Sequence, residues 1–127
     1  MPRSRRPAIR YAPMADDRLA RLTATIRARR GADPDTSYVA RLLAKGRERI
    51  AQKVGEEAVE AVIAATRGDA QALKGEAADL VFHLAVLLDS LGLGFDDVLE
   101  EIERREGVSG LAEKAARSGD SRPKRRD

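Results

Sequence analysis

Apolar residues recur along this chain at the three- and four-residue spacing of helix faces, and glycines punctuate the pattern. Leu19, Leu22 and Ile26 outline a first helix between Asp16 and Arg30, with Gly31 as its stop. Pro34 blocks any continuation. Asp35 to Ser37 then offer capping oxygens to a second helix that begins with Tyr38, Val39, Leu42 and Leu43 and pauses at Gly46. Two longer helices follow, one from about Arg47 to Thr66 ending at Gly68, the other from about Ala70 to Leu91 ending at Gly92. A last helix starts near Phe95, with Asp96 or Asp97 in the first turn where the helix dipole favours acids, and ends near Gly107.

The ends do not share this period. Met1 to Pro13 holds Pro2, Pro7 and Pro13 among arginines and reads as a disordered lead-in, which makes Met14 a candidate second start. The expected division is a basic lead-in over 1–15, an all-α domain over 16–107 and a polar, partly disordered tail over 108–127. No internal repeat is evident.

Composition narrows the fold further. A chain of 127 residues suits one modest domain, and with 43% apolar but only 3% aromatic residues its interior is built from Ala, Leu, Val and Ile. The expected architecture is an all-α bundle of four to five helices. With no cysteine there is neither a disulfide framework nor a thiolate metal site. No apolar run approaches the roughly 18 residues of a spanning helix, so the expectation is a cytoplasmic protein without a membrane partner. The net charge of +3 comes mostly from the ends, Arg3, Arg5, Arg6 and Arg10 at one and Arg122, Lys124, Arg125 and Arg126 at the other. Basic tails around an acid-rich middle read as solvated, and no nucleic-acid partner is expected.

The acids of the middle change the picture most. With each helical residue advancing by about 100°, Ile50, Val54, Ala58, Ala61 and Ala65 form one apolar stripe, and Glu57 falls inside it. Glu60 borders that stripe and Glu56 lies a little beyond. On the next helix Leu73, Ala77, Leu80, Leu84, Leu87, Leu88 and Leu91 make the stripe, with Glu76, Asp79 and His83 along one border. Glu57 with Glu60, and Glu76 with Asp79, are therefore i, i+3 pairs on neighbouring helices, each aimed into the space between them. Unpaired carboxylates in an apolar setting cost several kcal/mol or more, so they call for a cation, a base or a proton. Hard oxygen ligands without cysteine suit Mg²⁺ or Mn²⁺ rather than Zn²⁺. The competing explanation is ordinary salt bridging of Glu56, Glu57 and Glu60 to Lys53, Arg67 and other bases. Lys45, Arg49 and Lys53 recur every four residues on the Glu60 side and outline a positive track for a phosphate chain. His83, the one histidine, is placed behind the acids as a supporting group at the substrate site.

Ser37-Tyr38 with Leu42-Leu43-Ala44-Lys45-Gly46, then Lys53-Val54-Gly55-Glu56-Glu57-Ala58-Val59-Glu60, then Glu76-Ala77-Ala78-Asp79-Leu80 followed by His83, resemble the phosphoribosyl-ATP pyrophosphatases from about Leu19 to Gly107. The Glu-Glu-x-x-Glu with a downstream Glu-x-x-Asp is also the signature of the wider all-α nucleoside triphosphate pyrophosphatases. The resemblance implies a dimeric helical bundle, catalysis by Glu56, Glu57, Glu60, Glu76 and Asp79, and a Mg²⁺ site from the last four. It further implies hydrolysis of phosphoribosyl-ATP to phosphoribosyl-AMP and diphosphate, the second step of histidine biosynthesis. Two positions depart from the pattern: Arg47, where relatives often have proline, and Phe82, where tyrosine is common. The rival readings are a house-cleaning nucleoside triphosphate pyrophosphatase with the same acids, and a non-enzymatic helical interaction module.

Overall fold

The computed structural model describes residues 17–107, so the lead-in expected over 1–15 and the tail expected over 108–127 lie outside the described residues. Five helices make up the described chain: α1 (Arg18–Arg29), α2 (Tyr38–Lys45), α3 (Arg47–Thr66), α4 (Ala70–Ser90) and α5 (Phe95–Glu106). The all-α expectation holds. Among the described residues no single helix is long and apolar enough to cross a membrane.

Local chemistry sets the boundaries. The Ser37 hydroxyl accepts from the Ala40 amide at 3.2 Å and starts α2, and the Asp69 carboxylate accepts from the Ala72 amide at 3.0 Å and starts α4. At the start of α5 the Asp97 carboxylate reaches back to the Gly94 amide at 2.8 Å. Gly46 serves as the end of α2 and the start of α3 at φ 94°, a left-handed conformation that breaks one apolar pattern into two helices. Gly94 has a different reason to be glycine, since a Cβ there would sit 2.8 Å from the Thr23 methyl of α1.

α3 and α4 form a hairpin through Arg67, Gly68 and Asp69 and make the most extensive helix pair, with α1 and α2 also packed on α4. The core gathers Ile26, Val39, Leu42, Ile50, Ala85, Val86 and Phe95, almost wholly aliphatic as the composition required. The leucine stripe read for α4 needs correcting. Its most buried residues are His83, Ala85, Val86 and Asp89, while Leu84, Leu87 and Leu88 are half-buried and Leu91 is exposed. A helix contacted by α1, α2 and α3 has no single inward face, and two polar residues enter the interior because each meets a partner there. His83 meets Tyr38, and Asp89 meets Arg30.

Candidate active site

On α3 the burial line runs through Ile50, Glu57 and Ala64, one residue every two turns. Glu57 therefore cannot avoid the interior, and it is only 8% exposed. From α4, Glu76 is half-buried and Asp79 exposed at the rim. One carboxylate oxygen from each of Glu57, Glu76 and Asp79 lies within 4.8 Å of the others. Neighbouring ligands on an octahedral Mg²⁺ are separated by roughly 3 Å and opposite ones by roughly 4 Å, so this spacing suits one small cation.

Two observations on these acids favour a cation between them. Glu57 Oε2 and Glu76 Oε2 are buried without a hydrogen-bond partner, which is costly for any acceptor and more so for a charged one. The Glu76 carboxyl is also pushed up to about 7, first by its hydrogen bond with Glu60, then by burial and the negative charge of Glu60 and Glu57. Without a metal the cluster retains a proton up to about pH 7. A divalent ion would supply the missing charge, and the all-oxygen donor set fits Mg²⁺ or Mn²⁺.

That retained proton has a consequence for stability. Unfolded Glu76 loses its proton near the ordinary value of 4.5, whereas folded Glu76 keeps it to about 7, so the folded state holds more protons over this window. Stability of the metal-free protein should therefore fall as pH rises through it, opposite to the trend of a salt-bridged acid. Melting in chelator from about pH 4.5 to 7.5 checks this. The Glu76→Gln variant should flatten the slope, and an unchanged slope would remove Glu76 as its source.

The remaining site candidates divide. Glu60 is exposed and approaches Glu76, and with it lines a cavity of about 170 Å³ that also holds Ile63, Ala64, Arg67, Asp69 and Ala72. Glu56 is exposed, accepting from Gln52 at 3.1 Å and pairing with Lys53 at 3.4 Å. Lys53 reaches Glu57 as well, at 3.7 Å. Burial works to lower the Lys53 ammonium, but Glu56, Tyr38 and Glu57 raise it overall, so it stays charged beside the acids. The residues read as a basic track lie on two helices, Lys45 at the end of α2 and Arg49 and Lys53 one turn apart on α3. Gly46 puts Lys45 on another helix, and neither it nor Arg49 bonds to the acids.

His83 is engaged within the helices. Both its ring nitrogens are taken internally, by the Asp79 carbonyl at 2.8 Å and the Tyr38 hydroxyl at 2.9 Å. The Tyr38 contact with His83 is not announced by the spacing along either helix. A separate cavity of about 350 Å³, lined by Arg30, Arg47, Ile50 and Asp89 among others, contains none of the acids. Arg47, the departure from proline, donates there to the Ser90 carbonyl at 3.0 Å and so ties the start of α3 to the end of α4.

The profile of the phosphoribosyl-ATP pyrophosphohydrolase family matches residues 19–106, a span that includes every acid of the cluster. The chain belongs to this family. A phosphoribosyl-ATP pyrophosphatase of Rhizorhabdus wittichii is 67% identical over 99 residues, covering 78% of this chain and 93% of the relative. The enzyme of the same name from Erythrobacter litoralis is 64% identical over 99 residues, covering 78% of this chain and 95% of its own. A third, from Novosphingobium aromaticivorans, is 63% identical over 100 residues, covering 79% and 94%. As a member of this family the chain is a hydrolase.

Proposed function

We propose that the chain hydrolyses phosphoribosyl-ATP to phosphoribosyl-AMP and diphosphate, in histidine biosynthesis, at a Mg²⁺ site made by Glu57, Glu60, Glu76 and Asp79. The observation that carries the metal is the convergence of Glu57, Glu76 and Asp79 with two buried oxygens left unpartnered. The substrate is supported by the relatives' shared name. Bound Mg²⁺ supplies neutralisation of phosphate charge and acidification of water. Within the chain, Glu57 and Glu76 hold negative charge at the base of the site, Asp79 and Glu60 complete its rim, and Lys53 offers a cation to the phosphates beside them. The bond broken is the anhydride between the α and β phosphates, with diphosphate leaving. The same reading includes a homodimer, supported by Val59, Val62 and Ile63 of α3, which stand exposed in a row that water would not favour.

A house-cleaning pyrophosphatase would use the same acids, so substrate comparison is the decisive test. Phosphoribosyl-ATP should be turned over with kcat/KM at least about tenfold above ATP, dUTP or dCTP, roughly 1.4 kcal/mol of transition-state binding. Diphosphate release measured on the four compounds side by side checks it. A simple triphosphate that matched phosphoribosyl-ATP would transfer the assignment to the rival.

A further inference from the structure

His83 is 6% exposed, and the direction of its two hydrogen bonds can be deduced. The Asp79 carbonyl, 2.8 Å from Nδ1, can only accept, so Nδ1 carries the proton. In the neutral ring Nε2 is then an acceptor, and the Tyr38 hydroxyl at 2.9 Å donates to it. The result is a directed chain of bonds from the first residue of α2, through the imidazole, to the turn of α4 that carries Asp79. Its outer end is anchored: Tyr38 follows the Ser37 cap, and its ring stacks on Phe82 with centroids 5.9 Å apart. Its inner end needs an anchor, because the Asp79 carboxylate makes no hydrogen bond or ion pair within the described residues. Where that carboxylate sits is left to the main chain.

We propose that Tyr38 is a positioning residue of the hydrolytic site, acting through His83 to hold the Asp79 turn of α4 so that its carboxylate stays in range of Glu57 and Glu76. This rests on the metal reading given under the proposed function. The only proton of the Tyr38 hydroxyl is spent on His83, which leaves the phenol oxygen unsuited to donate to a phosphate.

Tyr38→Phe tests this, since it keeps the ring against Phe82 and removes only the hydroxyl. Calorimetry on the protein without substrate should show Mg²⁺ binding weakened about tenfold, within the range for partners that orient a metal ligand. The melting temperature should hardly move. Nitrogen-15 spectra of His83 in the wild type should show the Nδ1–H tautomer. Pairing Tyr38→Phe with His83→Gln should weaken Mg²⁺ binding no more than the worse single change, because both break one chain of bonds. Wild-type Mg²⁺ affinity in Tyr38→Phe, or an Nε2–H tautomer, would overturn the proposal. The Glu57→Gln variant separates the two levels. If it loses Mg²⁺ while Tyr38→Phe retains it, the positioning role alone fails; if it binds Mg²⁺ undiminished, the metal reading fails and takes this proposal with it.

Discussion

Glu57→Gln should lower turnover of phosphoribosyl-ATP at least about a hundredfold, roughly 2.7 kcal/mol of transition-state stabilisation, without loss of helix content. The side chain is almost the same size, so packing between α3 and α4 is preserved. What disappears is the charge, at the most buried carboxylate of the cluster, where Oε2 has no protein partner. Above about pH 7, where Glu76 ionises, the metal-free variant should even gain stability, because an amide no longer repels that carboxylate. Loss of activity with unchanged or better folding is the signature of a group kept for chemistry at a cost to the fold. Glu56→Gln is the internal comparison. Glu56 is exposed and already bonded to Gln52 and Lys53, so its neutralisation should reduce turnover less than about threefold. Circular dichroism and steady-state assays on both proteins check the pair. Comparable activity in the two variants would mean that depth in the helix pair does not select the catalytic acid.

The contrast between adjacent glutamates also marks what could be read from the sequence. Boundaries were legible because their causes are local: a Ser37 or Asp69 cap and a glycine stop act within a few residues. The convergence of Glu57, Glu76 and Asp79 was legible for a related reason. Glu57 lies at a position of α3 that a 3.6-residue period must bury, and Glu76 with Asp79 occupy successive turns on one side of α4. The failures share an opposite cause. Tyr38 meets His83 across 45 residues of sequence, and Arg30 meets Asp89 across 59, so no periodicity on one helix announces either contact. The leucine stripe of α4 failed because three neighbouring helices divide its surface among them. Counting in fours from Lys45 runs through Gly46, where the helix does not continue, so a single period does not place Lys45 relative to Arg49 and Lys53.

Arg30→Ala should produce the largest loss of stability among single substitutions of charged residues, and Asp89→Asn a smaller one. Arg30 holds both Asp89 carboxylate oxygens, with Nε at 3.1 Å and a terminal nitrogen at 2.7 Å, and donates to the Asp89 carbonyl at 3.2 Å. The two partners sit differently, because the arginine side chain is 55% exposed and that of the aspartate 2%. Removing the aspartate leaves a guanidinium that water can solvate. Removing the arginine leaves a carboxylate buried in the last turn of α4, where the negative end of the helix dipole adds to the penalty. A buried charge left without its partner costs about 3 kcal/mol or more, which corresponds to a fall of roughly 12–24 °C in melting temperature for a domain of this size. The double variant should melt above Arg30→Ala alone, since it removes the stranded charge. Catalysis should be spared at low temperature, because Asp89 lies about 15 Å along α4 from Asp79. Thermal melts of the three variants beside the wild type check the order. If Asp89→Asn proved the more damaging, the bond to the α4 end rather than the buried charge would be what Arg30 contributes.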